Sequence, residues 1–451
     1  MNPAYLEDAS GYKGHAEALF VPATEAELQG VLREANSKRI PVTIAGAGTG
    51  LTGARVAQGG WVVSTEKFRD IDIGLRQARV GAGVLLKDLQ AAAAPSGQFY
   101  APDPTESGAS LGGTVACNAS GSRSFRCRDT RRHVLGLRVV TMDGAVHAYR
   151  RGEAIDFDTV ALPRPQTTKH SAGFLLHPGM DWLDLFIGSE GTLGVVTEAT
   201  VRLVKTPGEI LAGVIFFPSD ADALRAVEAW RPIPGLRMLE YFDAGSLELL
   251  RQKNDGIPKQ ALAALLVEQE IVDESEMDAW EQRLEVSRAL AEDSWFASTD
   301  RERERFRKFR HGLPEAVNST IRQRGLQKMG TDFAVPVSEN AAMMAHYRHR
   351  LEAEFPGQYV IFGHIGDAHV HVNILPADGV EAERAKALMV ELARKAVSLG
   401  GTVGAEHGLG KRKAHLLAIQ YSPAEIEAMK AVKRRLDPHW LLGQGTLFER
   451  G

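Results

Sequence analysis

Short runs of β-branched and aromatic residues alternate with amphipathic stretches between residues 18 and 205. "ALFVP" (18–22), "PVTIA" (41–45) and "WVVS" (61–64) are compact apolar runs bounded by turn residues, and each predicts a strand. Between the first two, "EAELQGVLREANSK" (25–38) repeats its apolar residues at helical spacing. "LRVVTMDGAVHAY" (137–149) predicts a hairpin, with Asp143-Gly144 supplying a turn that tolerates positive φ. "GTLGVVTEATVRLV" (191–204) is a late β-rich run, and "TPGE" (206–209) predicts a boundary. Beyond it, strand "ILAGVIFF" (210–217) leads into helix "DADALRAVEAW" (220–230). Strand "ALLVEQEIV" (264–272) leads into helix "MDAWEQRLEVSRALA" (277–291). "YVIFGHI" and "AHVHVNIL" predict two further strands within 359–375, and the last 50 residues predict mostly helix. The alternation in the first half and the strand–helix pairs in the second predict an α+β protein.

At 451 residues the chain is too long for one ordinary core, so two or three domains are expected. With 44% hydrophobic and 24% charged residues it reads as a globular protein. The net charge of −4, with no basic stripe, argues against a nucleic-acid partner. The N-terminus "MNPAYLEDAS" has no basic and apolar leader, and runs such as "ALAALLV" (261–267) are far too short to span a membrane. The two cysteines, Cys117 and Cys127, form no disulfide framework, and the chain reads as cytoplasmic, with peripheral membrane association left open.

Glycine changes the picture. "AGAGTGLTGA" (45–54) places Gly46, Gly48, Gly50 and Gly53 directly after a predicted strand. Such a loop brings backbone N–H groups close to an anion, because glycine lacks the Cβ that would hold the ligand away. "SGASLGGTVACNASGSR" (107–123) and "IGSEGTLG" (187–194) are two more clusters. One cluster alone is most simply a tight turn; three in one domain point to one extended ligand. No G-x-G-x-x-G opens a helix with an acidic residue some 20 positions on, and the first loop lacks the Lys-Ser/Thr of a P-loop, so neither a Rossmann NAD site nor a P-loop is supported.

"PVTIAGAGTGLTG", "APDPTESGASLGGTVACNASG" and "GSEGTLGVVTEATVRL" resemble the FAD-binding domain of the vanillyl-alcohol oxidase type. Over nearly the whole chain, and in the same motif order, the sequence resembles the FAD-linked 2-hydroxyacid dehydrogenases: D-lactate dehydrogenase, D-2-hydroxyglutarate dehydrogenase and the glycolate oxidase flavin subunit. The resemblance implies that Gly46, Ala47, Gly48, Thr49, Gly50 and Leu51 wrap the FAD pyrophosphate. It implies that Pro104, Thr105, Gly112, Gly113, Asn118 and Gly121 line the flavin and ribityl chain, and that Glu190, Gly191, Gly194 and Val196 hold the flavin through backbone groups. Several relatives attach FAD covalently through a histidine in the first glycine loop; this loop has none, so noncovalent FAD is expected.

Three of the fourteen histidines fall in "GHIGDAHVHVN" (363–373). Strand alternation would put His369, His371 and Asn373 on one face, with His364 folding back across the turn at Gly366-Asp367. "GAEHGLGKRK" (404–413) adds Glu406 and His407. Two imidazoles and a carboxylate suit Zn²⁺, and less well Mn²⁺ or Fe²⁺; an H-x-H pair on its own is as readily a pair of half-exposed strand histidines. The segments resemble the family's "G-H-x-G-D-G-N-x-H-x-N" and "x-E-H-G-x-G". That resemblance implies His364, His371 and Glu406 as ligands of a divalent metal, His407 as catalytic base and Asn373 as a substrate contact. Here Ala368 replaces the family's glycine and His369 its asparagine, which leaves His369 open as an extra ligand or proton relay.

In "RERERFRKFRHGLPEA" (301–316) most charges read as a solvated helix face, but Arg310 sits where the family has the arginine that holds the substrate carboxylate. Relatives that take a second carboxylate often carry a lysine where this chain has Gly330, and the nearest lysine is Lys328. "DPHWLLGQGTLF" (437–448) resembles the family's closing segment, which returns to the flavin domain.

The expected architecture is therefore an FAD-binding domain at 1–205, an α+β cap with an antiparallel sheet at 206–430, and a segment at 431–451 that returns to the first domain. The expected reaction is oxidation of a 2-hydroxyacid, D-lactate-like, with hydride passing to flavin N5. Electrons would leave to a separate acceptor: a quinone, a cytochrome, an electron carrier or oxygen. A zinc-dependent hydrolase and a non-catalytic flavin electron-transfer subunit are the rival readings, and the sequence leaves a homodimer open.

Overall fold

The computed structural model describes residues 2–273 and 275–449. Helix Glu25–Lys38 starts where the Thr24 hydroxyl accepts from the Glu27 amide, buries Leu28, Leu32 and Ala35 on one stripe, and stops at Arg39 with φ 58°. It packs on a three-stranded parallel sheet in which Trp61–Ser64 lies between Ala18–Phe20 and Val42–Ala45. The tail of the chain joins this layer: the Val42 amide donates to the Leu441 carbonyl at 2.7 Å, and the Gly443 amide donates to the Val42 carbonyl at 2.9 Å.

A second, antiparallel sheet has six strands. Ile71–Gly74, Gln77–Gly81, Val195–Lys205, Val134–Val140 and Val146–Arg150 follow one another, and Gln98–Tyr100 pairs with the far end of Val195–Lys205. The predicted hairpin is the Val134–Val140/Val146–Arg150 pair, with Gly144 at φ 77° in its turn.

After Lys205 the chain builds a seven-stranded sheet with every pairing antiparallel. Its order is Trp295–Ala297, Glu209–Phe217, Ala263–Ile271, Leu236–Asp243, Tyr359–Gly363, His371–Ile374 and Met329–Gly330. Helix Asp300–Gln323 covers one face with Phe306, Phe309, Leu313, Val317 and Ile321, spaced three or four apart. The other face belongs to the main core, shared with the first half of the chain.

Three expectations differ from the structure. The helix expected at 277–291 runs Ser275–Val286, and the chain turns away through Arg288 at φ 60°. The strand expected from residue 368 starts only at His371: a 3-10 turn over Ile365–Asp367 and a left-handed Ala368 (φ 51°) interrupt it. The last 50 residues carry the helix Pro423–Leu436, while the stretches on either side are mostly turns built around Gly408, Gly410, Gly443 and Gly445, all with positive φ.

Candidate active site

The three glycine clusters meet along one cleft with about 1410 Å³ of empty space, including its mouth. Gly46 to Leu51 form one wall, Pro104, Thr105, Gly112 and Gly113 the second, and Glu190, Gly191, Gly194 and Val196 the third. The glycines serve two ends. At Gly112 a Cβ would sit 2.7 Å from the Ala82 Cβ, and at Gly194 2.6 Å from Val139 Cγ1, so these let elements pack. At Gly50 a Cβ would meet nothing nearer than 3.8 Å, so what its lack of a side chain leaves open is the cleft itself, whereas Gly191, also on the cleft, serves its backbone with φ 70°. A cradle walled by bare backbone fits a long anionic ligand such as FAD. Asn118 and Gly121, also expected to line it, do not border it. Asn118 caps its helix and bonds Asp129, the His170 carbonyl and the Arg131 amide. Gly121, at φ 142°, lies where a Cβ would be 1.8 Å from the Asp103 carbonyl.

Glu406 and His407 close one end of the cleft. Behind them the histidines converge. Glu406 Oε1 lies 3.0 Å from His364 Nε2 and 3.4 Å from His371 Nε2. The far side of each ring is already fixed: His364 Nδ1 is 2.5 Å from Glu240 Oε1, and His371 Nδ1 is 3.2 Å from the Thr331 carbonyl. Those partners accept only, so each Nδ1 carries its hydrogen. At His371 a neutral ring turns its Nε2 lone pair toward the Glu406 carboxylate, lone pair against anion, and His364 Nε2 faces the same oxygen. Burial lowers the His371 pKa and favours that neutral form. Burial also works against charge on His364, yet Glu240, followed by Glu406, outweighs it and its pKa lies above the usual value. The arrangement is relieved by positive charge at the centre of the three atoms, and the donor set with its outer acceptors suits a divalent cation.

His407 is the ring nearest the cleft, with a quarter of its side chain exposed. Its Nδ1 is 3.3 Å from Asp332 Oδ1. Asp332 is itself rigid, because its other oxygen accepts from the amides of Ala405, Glu406 and His407 at 3.0, 3.2 and 2.9 Å. Burial opposes charge on Asp332, but His407 and then His369 hold the carboxyl well below its usual range. The net effect on His407 is a lowered pKa, led by burial.

Arg310, on helix Asp300–Gln323, donates from Nε to Glu240 Oε2 at 2.8 Å and from Nη1 to Thr105 at 2.8 Å. Among the described residues its Nη2 has no partner; Arg310 does not itself border the cleft, but Thr105, to which it donates, does. Glu240 thus fixes Arg310 and His364 together; its pKa is held at about 2, since Arg310 and then His364 overcome burial. Asn373 sits beside Gly330 with its Oδ1 buried and unpartnered among the described residues, and does not border the cleft. Lys413 donates to the Gly330 carbonyl at 3.0 Å, while burial, then Lys413, pushes the Lys328 pKa down to about 8. His369 is fully buried behind the cluster and off the strand on which alternation had placed it; burial, then Lys169, lowers its pKa to about 4.

Lys169, Glu240 and Asp332 were not among the sequence candidates. Glu240 left a trace, as a carboxylate within the otherwise apolar face of "LRMLEYFD" (236–243). Lys169, in an irregular stretch of polar residues, left none.

Residues 206–447 match the family model "FAD linked oxidases, C-terminal domain", and residues 16–149 match "FAD binding domain". The chain is 32% identical to a D-lactate dehydrogenase of Archaeoglobus fulgidus, covering 95% of this chain and 90% of that protein. It is 31% identical to a D-2-hydroxyglutarate dehydrogenase of Xanthomonas citri pv. viticola, covering 96% and 89%. It is 30% identical to the glycolate oxidase subunit GlcD of Bacillus subtilis, covering 99% and 92%. Among solved structures, alkyldihydroxyacetonephosphate synthase superposes with a TM-score of 0.67 at 15% identity over 94% of this chain and 76% of that chain, a likeness of fold.

Proposed function

The chain belongs to the FAD-linked oxidase family and is an FAD-linked oxidoreductase of the D-lactate, D-2-hydroxyglutarate and glycolate oxidase type, and from that premise we propose that it oxidises a D-2-hydroxyacid to the 2-oxoacid with a histidine base and a divalent cation, zinc being the first candidate. The observation that carries the cation is the convergence of His364 Nε2 and His371 Nε2 on one oxygen of Glu406, at 3.0 and 3.4 Å. The observation that carries the base is His407, open to the cleft on one side and backed by Asp332 on the other.

FAD, when bound, would supply the two-electron acceptor for the hydride from C2, and a cation would supply Lewis acidity for the hydroxyl. The protein's share is positioning and proton transfer. The Arg310 guanidinium receives the substrate carboxylate through Nη2, because Glu240 holds Nε and Thr105 holds Nη1. His407 takes the hydroxyl proton at Nε2, since Asp332 faces Nδ1 and fixes the tautomer. His364, His371 and Glu406 would hold the cation. FAD binds without a covalent bond, as no histidine lies in the loop at 45–54.

The test is the visible spectrum of the purified protein under anaerobic conditions, before and after a panel of D- and L-2-hydroxyacids. Flavin bands that bleach with a D-acid, and fail to bleach after chelation until zinc is restored, support the reading. Flavin that every acid leaves oxidised would overturn the substrate class. Bleaching indifferent to chelation would overturn the cation. His407→Ala should lower turnover by roughly 10²–10⁴-fold with flavin content unchanged; full turnover in that variant would remove the base assignment.

A further inference from the structure

His369 stands within ligand distance of the proposed cation site: one nitrogen of each ring among His364, His369 and His371, with a Glu406 oxygen, lies within 4.8 Å of the others. Both of its nitrogens nonetheless face other groups, Nδ1 in a hydrogen bond and Nε2 in a contact without hydrogen-bond geometry. Lys169 Nζ is 3.4 Å from His369 Nδ1, and Asp332 Oδ1 is 3.1 Å from His369 Nε2 in a bent contact. We propose that Lys169 holds His369 off the cation and turns it into a bridge to Asp332, so that the site keeps two imidazoles and one carboxylate. The inference rests on the cation reading given under Proposed function.

An ammonium has three hydrogens and no lone pair. Facing Nδ1, Lys169 can only donate, so the Nδ1 lone pair is committed and the single proton of a neutral ring belongs on Nε2. There it points toward Asp332, the one carboxylate within reach. The opposite tautomer would set N–H against ammonium and lone pair against carboxylate, two repulsions in a fully buried place. The same ammonium donates to Glu406 Oε2 at 3.1 Å, where the Ser120 hydroxyl also donates at 2.9 Å. Glu406 therefore presents Oε1 alone to the cation. Lys169 lies 3.6 Å from Asp367 and 3.4 Å from the Gly121 carbonyl, and is 1% exposed, so its position is fixed by four groups and not by solvent. Asp332 in turn faces both His369 and His407, which makes Lys169 and His369 positioning residues that act on the base through it.

The test uses the FAD-loaded protein with cobalt(II) as probe, read by metal content and low-temperature electron paramagnetic resonance. His369→Asn should bind one cobalt per chain, as the wild type does, with a superimposable spectrum. Lys169→Met should change the spectrum, and in that background His369→Asn should change it again. A His369→Asn variant that loses cobalt or alters the spectrum of the otherwise wild-type protein would make His369 a ligand and overturn the proposal. Silence of His369→Asn in both backgrounds would show that Lys169 is not what excludes it. If Lys169→Met does not retain FAD, Lys169→Gln takes its place in the comparison. Wild-type protein that takes up no cobalt would overturn the cation reading itself, an outcome distinct from either of these.

Discussion

Glu240 joins two functions that the sequence treated as unrelated. One carboxylate oxygen accepts from Arg310 at 2.8 Å, and the other faces His364 at 2.5 Å. A carboxylate can serve two donors at once; a glutamine of the same shape cannot, because one end becomes a donor. Glu240→Gln should therefore weaken metal retention by roughly 10–100-fold and raise KM for the hydroxyacid, with flavin content unchanged. Metal titration and steady-state kinetics on one preparation check both limbs; a variant that shifts neither would reduce Glu240 to a packing residue. At this scale legibility follows clustering. His364, His371, Glu406 and His407 were legible because they sit in two short glycine-flanked motifs. Glu240, Asp332 and Lys169 reach the site singly from three distant segments, and nothing local marks residues that lie 124, 75 and 237 positions from His364, His407 and Glu406 respectively. Alternation misplaced His369 for a residue-level reason, since the left-handed Ala368 resets the register three positions before the strand begins.

The glycine loops show what an element's sequence says and what it leaves out. Three clusters following apolar runs announced one extended ligand, and all three do border one cleft. Which glycine serves the fold and which serves the ligand was not legible, because that depends on what stands opposite each Cα. Gly121 combines φ 142° with a position 1.8 Å from a backbone carbonyl, which cannot yield as a side chain can. Gly121→Ala should lower the melting temperature of the apoprotein by at least about 2 °C, a cost of at least about 2 kcal/mol. Gly50 is the counterpart: its φ is not in the positive range, and the nearest atom to a Cβ is Asp8 Oδ2 at 3.8 Å. Gly50→Ala should melt like the wild-type apoprotein yet bind FAD at least about tenfold more weakly. Calorimetry on apoproteins and flavin titration separate the two effects; equal melting losses in both variants would deny the distinction.

Across the whole molecule, the site depends on a seam that the sequence does not advertise. The first half supplies the cleft walls, and the second half supplies the cation ligands and the base. Arg123 reaches Glu268 at 2.7 Å, Glu190 accepts the Leu409 and Gly410 amides at 2.9 and 2.8 Å, and Lys433 ties the returning tail to the Thr192 carbonyl at 2.6 Å. His170 belongs to the same seam. Its two nitrogens face the Thr402 hydroxyl at 2.8 Å and the Tyr421 hydroxyl at 2.9 Å, linking the 160s loop to the C-terminal elements. Burial, then Arg131, pushes its pKa down from 6.5 to about 3. Between those values the unfolded chain binds a proton that the native ring refuses, so stability falls as pH drops below 6.5 and is unaffected above it. At pH 5 the loss from this one ring is about 2 kcal/mol, since each pKa unit is worth about 1.4 kcal/mol. His170→Gln should be less stable than wild type at pH 7, because a buried hydroxyl loses its partner, but should lose less on going from pH 7 to pH 5. Urea midpoints at the two pH values measure the difference, and other buried histidines cancel because both proteins carry them. Parallel acid losses in the two proteins would mean that the ring is charged, or wet, in the native state, and that the seam at Tyr421 is looser than its geometry.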